Sequence, residues 1–551
     1  MALLLILTLC LTLPLLLLFF LQNRRNIKNS SFPPGPIGIP IIGNLHQLNN
    51  SALYLQLWQL SKKYGPLFSL QLGLRSAIVV SSPKLAKEVM KDHDLECCGR
   101  PKLLTLQKFS YNGLDMAFSP YNSYWREMRK ISVLHVLSSR RVSSFSSIRH
   151  YEVKQMMKRI SMHASASEVI NLSEVLMSLS VTLVCRIVFG RSYEDEGTEK
   201  SRFHELLNES QAMWGTFFFS DYIPFLGWLD KIRGLHTRLE RAFKDLDKFY
   251  QEVIDEHNDP NRKTPAENED IIDVLLQLQK QRSFSVDLTN DHIKAVFMNM
   301  LVAATDTTAA TLVWAMTALL KDPRVMKKVQ EEIRTLRGKA DFLDEDEVQN
   351  FPYLKAVIKE TLRLHPPAPL LVQRETNEAC IIAGYEIPAK TIVYVNAWAI
   401  HRDPEAWKDP DEFIPERFLD STIDFGGQDF EFIPFGAGRR ICPGIAMANA
   451  SLDLTLANLL NSFDWELPPG VKKEDIDTEK LPGITQHKKN HLYLCDRETL
   501  RNFEVGVCLA VQYIDIEVYH FPCAQYLAVK PNKKKRDTKK ANSENAEGRV
   551  P

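Results

Sequence analysis

The chain predicts a mainly α-helical body with small β-sheets, set behind one amino-terminal transmembrane helix. Three observations carry that expectation. The first residues form a long uncharged apolar run, the middle repeats apolar residues every three or four positions, and a few short stretches alternate apolar with polar residues.

From Ala2 to Leu21 no charge interrupts the run, and about twenty residues rising roughly 1.5 Å each cover the roughly 30 Å core of a bilayer. The positive charges Arg24, Arg25 and Lys28 all follow it. A cleaved signal peptide carries its basic residues in front, so this order predicts a retained anchor with the amino terminus outside the cytosol and the body inside. The sequons at Asn29 and Asn171 would then be hidden from glycosylation. Residues 1–22 are therefore read as anchor and 23–40 as a linker with a stiff hinge. In that hinge Pro33, Pro34, Pro36 and Pro40 fix φ and remove N–H donors.

Phe68-Ser-Leu-Gln-Leu and Ala77-Ile-Val-Val read as two short strands ended by Ser81-Ser82-Pro83. Leu235, Leu239, Phe243, Leu246, Phe249 and Val253 make one buried stripe of a helix that a polar loop through Pro260 and Pro265 ends. From Thr289, a cap, to Asp322-Pro323 runs a helix of roughly thirty residues, long enough to cross the whole body. A second membrane span is the competing reading. Asn299, Thr305, Asp306, Thr307 and Thr308 at its centre argue against lipid and for a site. No repeat or linker divides 41–495, which is read as one domain. The remainder, 496–551, with Lys533-Lys-Lys-Arg536, Lys539 and Lys540, is read as a disordered basic appendage. Contact with acidic lipid or protein is the sharper alternative.

With 45% hydrophobic residues the 551-residue chain can bury a large core. Lys+Arg 68 against Asp+Glu 68 leaves no net field to draw nucleic acid. The nine scattered cysteines are not a disulfide framework, and they point to a reducing compartment, with Cys97-Cys98 as buried, idle thiols.

Phe435-Gly-Ala-Gly-Arg-Arg-Ile-Cys-Pro-Gly444 precedes a helical pattern through Met447, Leu452, Leu454 and Leu459. Cys442 thus falls where a loop enters a helix, and unpaired N–H groups with the positive end of the dipole favour a thiolate, the form a metal needs. Gly436, Gly438 and Gly444 let backbone approach a flat ligand. A structural cysteine in a glycine-rich turn is the plain alternative. A dinucleotide fingerprint fails because Ile441 stands where its third glycine is required.

Positions 435 to 444 match FxxGxRxCxG through Phe435, Gly438, Arg440, Cys442 and Gly444. The chain resembles the haem-thiolate monooxygenases of the cytochrome P-450 family, in particular plant members anchored in the endoplasmic reticulum, over roughly residues 30 to 495. The resemblance implies the cytochrome P-450 fold and haem b (iron protoporphyrin IX) held by Cys442 as metal ligand. It implies Glu360-Thr-Leu-Arg363 joined to Arg417 of Pro415-Glu-Arg-Phe as the structural brace of the core. Trp125, Arg129, Arg374 and Arg440 become donors to the haem propionates. Isolated, these residues would pass for ordinary helix-surface side chains.

Ala303-Ala304-Thr305-Asp306-Thr307-Thr308 is similar to the family's proton-delivering segment, which makes Asp306 and Thr307 catalytic. Ala304 departs from it, since glycine is usual there, and its methyl group bears on helix geometry and on coupling. Threonines bonding back to the preceding turn are the plain reading of this stretch. By resemblance the pocket takes a small hydrophobic substrate between 102–114, 300–307, 368–372 and 484–485, a plant specialised metabolite such as a terpenoid, phenylpropanoid or aldoxime. O2 is the implied co-substrate. Electrons come from NADPH through cytochrome P-450 reductase in the same endoplasmic reticulum membrane, with the catalytic domain facing the cytosol and no nucleic acid involved. A reductase-independent isomerase or dehydratase, and a haem-binding protein without turnover, are the competing functions.

Overall fold

The computed structural model describes residues 32–49, 52–166, 168–193, 198–262, 269–337 and 342–497. The anchor read at 1–22, the first half of the linker and nearly all of the tail read at 496–551 lie outside them.

Strands β1 (Leu67–Leu72) and β2 (Arg75–Val80) pair antiparallel with Phe68 opposite Val79. They extend into a four-stranded sheet with β3 (Arg374–Glu375) and β4 (Ile392–Val395) in the order β1-β2-β4-β3, with β2 and β4 parallel. Both strands read from the alternating pattern are present. The partners come from 300 residues further on, which no local pattern announces.

Six helices position the site: α1 (Ser123–Ile131), α2 (Leu172–Phe189), α3 (Leu235–His257), α4 (Asn290–Lys321), α5 (Pro352–Leu364) and α6 (Ile445–Ser462). In α3 the expected stripe is buried, except that Phe243 stays half-buried beneath the Lys108 ammonium, 4.5 Å from its ring centre. Helix α4 runs for 32 residues, starts at a capping box formed by Thr289 and His292, and stops at Asp322, ahead of Pro323. It lies along α2 and also meets α5 and α6. Only α2 and α4 among the described helices are long and apolar enough to span a membrane, yet 67% of each such window is buried inside the body. Both are therefore central core helices, and the second-span reading of α4 fails. The chain closes when Tyr493–Asp496 pairs with Ile170–Asn171, just before α2.

Candidate active site

Cys442 sits two residues before Gly444, the N-cap of α6, so the loop-to-helix reading holds. Its N–H donates to the Phe435 carbonyl at 3.0 Å, which closes the loop, and the Gly444 N–H points at Sγ from 3.4 Å. Burial pushes the thiol up, while that N–H and the Arg129 guanidinium pull it down. Phe435 itself packs edge-on to Phe425, 5.3 Å between ring centres.

At Gly438 the close neighbour within the chain is the segment that carries Met90 and Asp94. Gly438 has φ +69°, and a Cβ there would lie 2.1 Å from the Met90 carbonyl oxygen and 2.8 Å from the Asp94 carboxylate. Its smallness lets the loop settle onto the 83–97 segment. Gly438→Ala is accordingly expected to lose about 2–4 kcal/mol in denaturant unfolding. A change under about 1 kcal/mol would refute the close-approach argument.

Glu360 and Arg363, one turn apart on α5 and fully buried, face each other through Nε–Oε2 at 2.7 Å and Nη2–Oε1 at 2.8 Å. Arg417 donates to Glu360 Oε1 at 3.0 Å. The remaining Arg363 donors reach the carbonyls of His401, Pro410 and Glu412. The three expected brace residues are therefore brought together. Sequence reasoning missed the fourth. His401 Nδ1 donates to the Arg363 carbonyl at 3.2 Å, and its Nε2 accepts the Ile433 N–H at 2.9 Å, so the imidazole ties α5 to the irregular segment leading into the Cys442 loop.

Complete burial beside Arg363 and Arg402 holds the His401 imidazole down to about 3. The folded value lies below the unfolded one near 6.5, so the fold favours the neutral ring. Its stabilisation is complete above about pH 6.5 and is lost as pH falls toward about 3, by roughly 1.4 kcal/mol per unit at most. Unfolding free energies measured from pH 7 to 5 should fall more steeply in the native chain than in His401→Gln, and equal slopes would count against this assignment.

Trp125 and Arg129 stand on one face of α1. Trp125 Nε1 donates to the Met116 carbonyl and Arg129 Nη2 to the Ile441 carbonyl. Arg440 reaches the carbonyls of Cys98, Met116 and Ser119 and lies 4.2 Å over the Trp125 ring. Arg374 bonds Asp94 Oδ1 at 2.8 Å and the Ala437 carbonyl. Arg100, which no sequence signal marked, joins them, donating to the carbonyls of Ala117, Val372 and Gln373.

Among the described residues Arg100, Arg129 and Arg440 form no ion pair with a carboxylate. Arg374 shares Asp94 with Arg439. Burial together with repulsion from Arg440 and Arg374 drives the Arg100 guanidinium well down, and burial likewise pulls Arg440 down to about 10. Arg100, Arg129, Arg374 and Arg440, of which only Arg374 has a carboxylate partner among the described residues, stand near a cysteine at a helix entrance and suit an iron porphyrin carrying two propionates.

The burial pattern agrees. Helix α4 is buried from Ile293 to Met298 and again from Ala309 to Leu320, but Val302, Ala303, Ala304, Thr307 and Thr308 retain accessible surface. Every residue from 441 to 450 does the same. Ala304 and Met447 border one apolar cluster, so the two half-open stretches face shared space of the kind a flat ligand fills.

Within α4 the Thr307 hydroxyl donates to the Ala303 carbonyl at 2.7 Å, and Thr305 and Thr311 bond back in the same way. The plain reading of the threonines is thus satisfied in this structure, and the helix runs unbroken past Ala304. Asp306 is buried, with Oδ1 accepting from Gln211 at 2.8 Å and Oδ2 3.7 Å from His487 Nε2. Asn299, also singled out in the sequence, accepts the Met116 N–H and donates to Asp115, so it secures the turn whose carbonyls receive Trp125 and Arg440.

A sequence profile described as cytochrome P-450 matches residues 33–495. The chain is 48% identical to a 6,7,8-trihydroxycoumarin synthase of Pastinaca sativa over 87% of this chain and 95% of that protein. It is 47% identical to a 5-OH-xanthotoxin synthase of the same plant, with the same coverage. A zebra fish cytochrome P-450 solved with progesterone superposes with a TM-score of 0.68 at 28% identity, covering 80% of this chain and 99% of that one. The match spans the whole described body, the Cys442 loop, the buried Glu360-Arg363-Arg417 brace and the arginine cluster included, and the chain belongs to the cytochrome P-450 family of haem-dependent monooxygenases.

Proposed function

We propose that this enzyme hydroxylates a coumarin-type aromatic, a phenylpropanoid derivative, with Cys442 as the iron ligand. The carrying observation is Cys442 at the entrance to α6, with the Gly444 N–H on its sulfur, beside Arg374 on Asp94 and beside Arg100, Arg129 and Arg440, which pair with no carboxylate among the described residues. The substrate class rests on the names of the two Pastinaca sativa relatives.

Cys442 would hold the haem, which when bound would supply dioxygen activation with electrons originating on NADPH. The Gly444 N–H would keep electron density on Sγ in check, and Arg100, Arg129, Arg374 and Arg440 would offer donors to the propionates. Asp306 and Thr307 hold and pass protons. For this the Thr307 hydroxyl turns from the Ala303 carbonyl toward the shared space. Thr307→Val should therefore raise hydrogen peroxide released per NADPH consumed by about twofold or more, measured with purified reductase. An unchanged ratio would remove Thr307 from the proton path.

Two surfaces fit the proposed setting. Ile37, Ile39, Leu74, Phe225, Trp228 and Ile232 are large exposed apolar residues. Their segments adjoin through the Gly73 N–H on the Ile42 carbonyl and the Leu74 N–H on the Tyr222 carbonyl. Such a patch, next to the hinge, suits a face lying on the endoplasmic reticulum membrane. Lys91, Arg126, Lys130 and Arg439 are exposed near the Cys442 loop and suit docking of an acidic reductase.

The test incubates the protein with reductase, NADPH, xanthotoxin or coumarin, and isotopically labelled dioxygen. A product carrying one labelled oxygen, formed only with reductase, is expected. Product formed without reductase would mean isomerase or dehydratase chemistry, and no product from either probe would overturn the substrate class.

A further inference from the structure

Asp306 is a buried carboxylate on α4. Among the described residues no lysine or arginine forms an ion pair with it. The titratable side chain within 4 Å of it among the described residues is His487, Nε2 to Oδ2 at 3.7 Å, with 19% of the imidazole side chain still accessible. Three elements far apart in sequence meet here: α4 brings Asp306, the helix Thr198–Trp214 brings Gln211, and the segment before the last strand brings His487.

Gln211 donates to Oδ1 at 2.8 Å. That bond fixes the carboxylate plane and leaves Oδ2 turned to the imidazole. The cations flanking His487 in sequence are engaged elsewhere, Lys488 with Asp477 at 2.7 Å and Lys489 with Glu479. Asp306 is thus the carboxylate that faces this ring. A buried carboxylate costs least when a partner can carry a compensating proton, and histidine is the side chain that gains and loses one near neutrality. The 3.7 Å separation is a charge contact that a small rotation, or one water, turns into a hydrogen bond.

We infer that His487 is a positioning residue that shares a proton with Asp306 and restores it after each transfer. The imidazolium Nε2–H bond breaks as an Oδ2–H bond forms, Asp306 passes its proton toward the site, and the neutral ring recovers a proton from water on its accessible side. No electrons move in this step. The inference rests on the proton-delivering role proposed for Asp306, and the tests separate the two.

In the full-length ferrous carbon-monoxide form, which is diamagnetic, ring signals of isotopically labelled histidine report each titration, and His487 is identified by the signal lost in His487→Gln. Its midpoint should drop by about half a pH unit or more in Asp306→Asn, because the carboxylate that favours the imidazolium is gone. A midpoint that does not move overturns the inference. With reductase, NADPH and xanthotoxin, peroxide released per NADPH should rise about twofold or more in both His487→Gln and Asp306→Asn. In His487→Gln the half-saturating xanthotoxin concentration should stay unchanged. If Asp306→Asn raises the ratio and His487→Gln does not, His487 has no such role and the reading of Asp306 stands. If neither raises it, both fail.

Discussion

Glu360→Gln is expected to destabilise the chain by about 3–5 kcal/mol, the largest loss foreseen for a single conservative change here. Oε1 accepts from Arg363 Nη2 at 2.8 Å, Arg417 Nε at 3.0 Å and the Ile414 N–H at 2.8 Å, while Oε2 accepts from Arg363 Nε at 2.7 Å. Glutamine keeps one acceptor and turns an N–H group on Arg363 or Arg417. Donor then faces donor, and a guanidinium with no exposed surface loses its counter-charge. Arg363→Lys should cost a similar amount, because one ammonium cannot serve Glu360 and the carbonyls of His401, Pro410 and Glu412 together. Denaturant unfolding of the two variants and of the native chain checks this. Losses under about 1 kcal/mol would mean that the network relaxes around the change. Retention of haem should fall in parallel, since Arg363 and His401 connect α5 to the segment that leads into the Cys442 loop.

Local patterns were enough for the elements that carry their own signal. The α4 helix could be read because its apolar run is long, begins at Thr289 and stops at Asp322-Pro323. The β1 and β2 strands could be read from alternation and a breaker. Glu360 and Arg363 share a face because three residues make nearly one turn, which needs no tertiary information. The residues that escaped notice are those whose chemistry is created by distant chain. Asp94 receives Arg374 and the Arg439 N–H from 280 and 345 residues away. His401 looks like any histidine at a helix end until Arg363 and Ile433 close on it. Arg100 gains meaning only when Arg374 and Arg440 are packed beside it. Gly438 was legible as a place of close approach, and within the chain the Met90 carbonyl is what lies there, a neighbour from nearly 350 residues earlier that no local pattern names.

Cys442→Ala should abolish haem-thiolate character while leaving the polypeptide fold nearly intact, and the contrast between the two is the point of the experiment. The loop is closed by a backbone bond, the Cys442 N–H to the Phe435 carbonyl at 3.0 Å, which alanine retains. The sulfur adds only one long contact, 3.4 Å from the Gly444 N–H, so its removal should cost no more than about 1 kcal/mol before any ligand is counted. The reduced native protein treated with carbon monoxide should show the strongly red-shifted Soret band of a thiolate-ligated iron. In Cys442→Ala that band should vanish, turnover should be lost, and the far-ultraviolet dichroism should match the native chain. A retained band would move the iron to another ligand. Loss of the fold along with the band would make Cys442 a structural residue first, and would require the Gly444 contact to be far stronger than its length allows.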